Sequence, residues 1–214
     1  MGVFQKFDQR FSISKRHPKF GRRNIPEHLN ITFCFGGIAF CLFLLSVLSG
    51  LLLSLYYVPS AIEAFPSIAN LQYEVPLGRY IRSVHKWSAH LLVIFIFLHM
   101  VRVVVYRAYL KPRELHWFSG IILMLLVAGS GFTGYLLPWD QKAYWATRVG
   151  TTLVEKIPFI GDYIALFLRG GMDVSGATLT RFFAFHVLFL PILITLFLWM
   201  HFHMIKRTGV KADL

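Results

Sequence analysis

The chain has 214 residues, 56% of them hydrophobic without counting its 16 glycines and only 15% charged, against roughly 45–50% apolar and about 25% charged in soluble domains. With a mean hydropathy of +0.59 it does not read as a soluble domain, and its two cysteines stand seven apart in one apolar run, about 10 Å along a helix, which excludes a disulfide scaffold or a zinc module. The net charge of +12 lies beside long apolar runs, the pattern by which a membrane protein marks its cytoplasmic side, so nucleic acid is not expected as a partner.

In chain order, the first thirty residues carry Lys6, Arg10, Lys15, Arg16, Lys19, Arg22 and Arg23 and no apolar core, so no cleavable signal peptide is expected. Phe4, Phe7 and Phe11 repeat at helical spacing and predict a short helix lying in the headgroup region. Four transmembrane helices are predicted over about 31–58, 79–107, 115–137 and 178–205, since crossing the hydrocarbon needs about 20 apolar residues and backbone groups inside lipid must bond within their own segment. The whole chain, 1–214, reads as one all-α membrane domain.

Thirteen Lys and Arg lie on the side holding both termini and the second-to-third connection, against four on the side holding the third-to-fourth connection. Both termini are therefore expected in the cytoplasm, and the second and fourth spans run in the same direction. The third-to-fourth connection, about 40 residues long, holds two amphipathic pieces, 141–154 and 159–168, separated by Pro158. They are expected to lie along the outer membrane face.

The second span carries His85 and His99, fourteen apart, and the fourth carries His186 and His201, fifteen apart. At 1.5 Å per residue these separations are roughly 21 and 22 Å, with each pair on one broad helix face. Parallel spans let His85 face His186 near the outside and His99 face His201 near the inside. Two facing imidazoles suit a six-coordinate, low-spin haem b with no open position for oxygen, so the pattern predicts a haem-binding bundle with two stacked haems. The plainer alternative is four packing or hydrogen-bonding histidines. His90 is expected to face away from the outer site, His203 points elsewhere, and His17, His28 and His116 are placed near the surface without a role.

Gly36 and Gly50 in the first span and Gly120 and Gly134 in the third share the fourteen-residue spacing, as close packing around a porphyrin requires. Arg82 and Lys86 bracket His85 and are the outer propionate candidates; Arg113 and Lys206 lie near the inner pair. Pro191 is expected to kink the fourth span and reconcile its fifteen-residue spacing with the others. Cys34 lies at the depth of His99 and His201, with its role open, and Cys41 reads as a small apolar residue.

These residues, with Arg-Ser-Val-His-Lys-Trp at 82–87, Lys-Pro-Arg-Glu-Leu-His-Trp at 111–117 and Gly-Tyr-Leu-Leu-Pro-Trp-Asp at 134–140, resemble the cytochrome b6 family. That family is the split, four-helix form of cytochrome b in b6f-type and related bacterial quinol-oxidising complexes. The resemblance implies that His85 and His186 bind the low-potential haem b, that His99 and His201 bind the high-potential one, and that Cys34 holds a c-type haem by a single thioether. It implies an outer quinol site lined by Trp139, Tyr144 and Ala146, whose other wall belongs to a subunit IV-like protein carrying Pro-Glu-Trp-Tyr. A Rieske iron-sulfur protein, a c-type cytochrome, a dimeric complex and a bacterial cytoplasmic or thylakoid-type membrane are implied in the same way. Lys86 departs from the family's arginine, His90 and His203 replace smaller or apolar residues, and Lys19 stands near an acidic position of the inner quinone site. Tyr-Tyr-Val-Pro at 56–59 is closer to menaquinol-using bacterial forms.

The implied activity is proton-coupled electron transfer from quinol outside, through the two b haems, to a quinone-reducing site inside. A ferric-reductase-like or hydrogenase-linked cytochrome b would share the paired histidines but lack the Pro-Trp-Asp loop. A small transporter relaying protons through its histidines would have no reason to match glycine and histidine periods.

Overall fold

A computed structural model describes residues 31–208; the expected interfacial helix around Phe4, Phe7 and Phe11 lies outside them. A 3-10 turn, Ile31–Cys34, leads into α1 (Phe35–Ser54), followed by α2 (Ala64–Tyr73), α3 (Gly78–Val105) and α4 (Glu114–Leu136). Next come α5 (Gln141–Glu155), α6 (Gly161–Arg169) and α7 (Gly176–Ala184), which continues through a π-helical turn, Phe185–Phe189, into α8 (Leu190–Thr208). No strand occurs among the described residues.

Four helical stretches are long and apolar enough to cross a membrane, Ile31–Ser54, Gly78–Val105, Glu114–Leu136 and Gly176–Arg207. The first predicted span runs four residues past Ser54, and the other boundaries lie within two residues of the helices' ends. Leu48, Leu51, Phe97, Leu125 and Leu196 are more than half exposed, as side chains facing lipid rather than water would be. Helix α1 packs along α3, and α4 along α8. Between them lies an apolar centre of Ala39, Phe43, Leu92 and Ile194. A second cluster, Ala64, Leu136, Val174, Leu179 and Phe182, joins α2, the end of α4 and α7 at one end of the bundle.

That end carries the amphipathic layer. Asp140 caps α5 by accepting from the Ala143 amide at 2.8 Å, and Ser175 with Thr178 forms a capping box on α7, each satisfying amides that a helix start leaves unpaired. The buried Arg169 side chain ties α6 to α5. It donates to Thr151 Oγ1 at 2.7 Å, to Thr152 Oγ1 at 3.0 Å and to the Glu155 carboxylate. Helix α2 was not anticipated, although its buried Ala64, Ser67 and Leu71 follow helical spacing.

The fourth span reconciles its spacing by a different device from the expected proline kink. The Leu190 amide bonds back to the Phe185 carbonyl, five residues earlier, so the π-turn around His186 takes up one extra residue. Pro191, which lacks an amide proton, follows directly. Fifteen residues between His186 and His201 thereby span what fourteen span in α3.

Candidate cofactor site

At the level expected to lie toward the outside, called outer below, His85 on α3 and His186 in the π-turn place their ring centroids 6.0 Å apart. Two imidazoles on opposite sides of one ion, with bonds of about 2 Å, need roughly this separation. His85 Nδ1 lies 3.0 Å from the Ser46 carbonyl oxygen, and His186 Nδ1 lies 2.8 Å from that of Ser130. A carbonyl only accepts, so both Nδ1 atoms carry the proton and both Nε2 atoms keep a lone pair, the tautomer a metal ligand requires. A Cβ on Gly50 would stand 2.9 Å from His85 Cε1, and one on Gly134 would stand 2.5 Å from His186 Cε1. Only glycine admits the rings at these positions.

The inner level repeats this plan fourteen residues away, more loosely. A Cβ on Gly36 would stand 3.1 Å from His99, and one on Gly120 would stand 3.6 Å from His201. A cavity of about 220 Å³ opens here, lined by His99 and His201 with Arg102, Arg113, His116 and Trp117 at its polar end. Buried Ser119 donates to the His116 carbonyl at 2.7 Å and stands 2.8 Å from His201 Nδ1. With its own proton committed, Ser119 Oγ accepts from His201, and the His201 Nε2 lone pair is again left for a ligand.

His116 corrects the sequence reading. It is only partly exposed and turns inward, its ring centroid 4.2 Å from that of His201 and its Nε2 3.1 Å from His201 Nε2. Sequence spacing held the signal, since His116 precedes Gly120 by one helical turn and so shares its face, but which face of α4 meets α8 is a matter of packing. The serines that orient the histidines were likewise not anticipated.

Of the charged candidates, Arg113 lines the inner cavity, and Arg82 donates to the Gln72 side chain on α2. Lys86 and Lys206 are exposed, and His90, also exposed, is engaged with the Lys86 carbonyl at 2.7 Å. Buried Arg102 lays its guanidinium 3.8 Å from the Phe33 ring centroid. Cys34 is exposed at the start of α1 and opens with Cys41 onto a shallow groove of about 490 Å³. Gly37 borders both this groove and the inner cavity, so the two spaces are neighbours.

Among the outer-turn candidates, Trp139 has a left-handed φ of 53° and packs edge-on to Tyr144 at 6.3 Å, while Ala146 is exposed. Tyr57 reaches across to this turn, donating to the Leu137 carbonyl at 2.7 Å. Burial holds its phenol above the ordinary range.

Donor atoms, tautomers and glycine gaps thus fit an iron macrocycle that brings its own equatorial ligands and takes one imidazole on each face. Residues 21–209 match the family model described as Cytochrome b/b6/petB. The chain belongs to the cytochrome b/b6 family. It is 42% identical over 212 residues to cytochrome b6 of Gracilaria tenuistipitata var. liui, covering 99% of each chain. It is 43% identical over 208 residues to cytochrome b6 of Cyanidium caldarium, covering 97% of each. Its fold is similar to a chain of a hyperthermophilic respiratory complex III, with a TM-score of 0.84 and 28% identity over 97% of this chain and 56% of that one. Membership makes it an integral membrane protein that binds haem b and serves as an electron-transfer subunit of a bc/b6f-type quinol oxidoreductase complex.

Proposed function

We propose that this chain accepts electrons from quinol at the outer face and delivers them to a quinone-reducing site at the inner face, with protons released outside and taken up inside. The observation that carries the reading is the pair of imidazole levels, with Nδ1 anchored on carbonyl or serine oxygens at three of the four histidines and a glycine opposite every ring. His85 with His186 and His99 with His201 would hold an outer and an inner haem b. Each haem b, when bound, would supply a one-electron iron couple.

The polypeptide sets spacing and charge. Fourteen helical residues separate the levels by about 21 Å, and the intervening Ala39, Phe43, Leu92 and Ile194 offer no group to carry a proton, so electron and proton paths stay apart. Moving one charge across the membrane works with or against about 2.3 kcal/mol per 100 mV. Arg82 and Lys86 at the outer level, and Arg113 and Lys206 at the inner, neutralise propionates. Trp139, Tyr144 and Ala146 line the chain's share of the quinol pocket, with menaquinone as the quinone. Cys34 Sγ attaches a c-type haem by one thioether, in the groove that Gly37 shares with the inner cavity.

A subunit IV-like protein carrying Pro-Glu-Trp-Tyr completes the quinol pocket, and a Rieske protein followed by a c-type cytochrome takes the first electron. The complex is a dimer in a bacterial cytoplasmic or thylakoid-type membrane, with both termini of this chain in the cytoplasm. Redox titration of the His99→Ala complex tests the central assignment. The inner b haem is lost while the outer one still reduces with quinol; retention of both b haems would show the pairing to be wrong.

A further inference from the structure

The inner site holds an imidazole that the proposed function does not use. His116 Nε2 stands 3.1 Å from His201 Nε2, the atom that would bond the inner iron, and the two rings lie 4.2 Å apart. Because Ser119 Oγ accepts from His201 Nδ1, His201 Nε2 carries no proton and His116 Nε2 is the donor in this contact. The His116 backbone is joined to His201 independently of its side chain, through its carbonyl and Ser119. The two residues are therefore joined by two separate hydrogen-bonded routes.

Among the described residues, the outer level lacks this feature. Fourteen residues on from His116 stands Ser130, whose carbonyl accepts from His186 Nδ1. Since the levels otherwise repeat histidine for histidine and glycine for glycine, the third imidazole is a departure confined to the inner site.

Resting on the assignment of His99 and His201 as inner ligands, we propose that His116 is a reserve axial donor that bonds the inner haem iron whenever the His201 bond is missing. His116 Nε2 stands 3.1 Å from the His201 atom it would replace, so a displacement of that size brings it to the same bonding position. Neutral His116 carries one ring proton. Ligation through Nε2 places that proton on Nδ1, and no net proton is gained or lost.

The test compares complexes carrying His201→Asn, His116→Thr/His201→Asn and His99→Ala, scored in membranes by haemochrome content and by the low-spin bis-imidazole EPR signal. Asparagine keeps a donor for Ser119 and removes the ligating atom, and the outer haem of the same chain reports assembly. His201→Asn keeps both b haems with the inner one low-spin, whereas the double variant retains less than a tenth of the inner haem. Loss of the inner haem from His201→Asn, or its survival in the double variant, overturns the proposal. Retention of both haems in His99→Ala would instead overturn the underlying ligand assignment. His116→Thr alone supplies a second test that leaves the four ligands intact. It raises the rate at which carbon monoxide binds the reduced inner haem several-fold, and an unchanged rate refutes the reserve role.

Discussion

Gly134→Ala tests how tightly the outer site is built. The new Cβ would stand 2.5 Å from His186 Cε1 and 2.8 Å from Nδ1, about 1 Å inside ordinary van der Waals contact. The ring must retreat, and its 2.8 Å bond to the Ser130 carbonyl stretches or breaks. Overpacking of this kind costs about 1–3 kcal/mol, and a lost hydrogen bond adds about 1 kcal/mol. Together they lower outer-haem affinity by roughly 30- to 1,000-fold, at 1.4 kcal/mol per factor of ten. The internal control is Gly120→Ala, whose Cβ would meet His201 at 3.6 Å, an ordinary contact. Redox titration and haemochrome content of the two complexes should show the outer haem lost or shifted in Gly134→Ala and both haems normal in Gly120→Ala. Equal damage from the two substitutions, or none from either, would refute the argument that approach distance at these glycines governs haem retention.

Cys34→Ala should abolish the haem that stays on this chain after acid-acetone extraction and leave the two b haems in place; an unchanged haem-stained band on a denaturing gel would remove Cys34 from the attachment role. Arg169→Met leaves Glu155 without its buried partner, a loss on the order of 3 kcal/mol, and should speed proteolysis at 156–160 and lower the thermal midpoint of the complex, whereas unaltered proteolysis would mean that α5 and α6 are held by other contacts. Tyr57→Phe removes one hydrogen bond, about 1 kcal/mol, from the turn that presents Trp139. It should raise the KM for quinol several-fold with kcat and both b haem potentials preserved, and a fall in kcat alone would count against a positioning role.

The four spans and the histidine lattice could be read from residues alone because lipid and helix geometry act on the chain one segment at a time. Hydrocarbon thickness sets how long an apolar run must be, and a fixed rise per residue turns fourteen positions into one repeated depth. Gly36, Gly50, Gly120 and Gly134 were legible for the same reason, as their period matches that of His85 and His99.

What packing alone decided is azimuth and partnership. That His116 meets His201 depends on which face of α4 turns toward α8, and that Arg169 reaches Thr151 and Glu155 depends on how α6 folds back on α5. The π-turn at Phe185–Phe189 depends on a backbone choosing to absorb one residue so that His186 keeps the register of its partner. Ser46 and Ser130 orient imidazoles through their carbonyls, groups every residue possesses and no side-chain pattern reveals. Rules that act within one segment thus reach the depth of each histidine and the number of crossings, whereas which neighbour each imidazole faces and which nitrogen it presents depend on contacts between segments far apart in the chain.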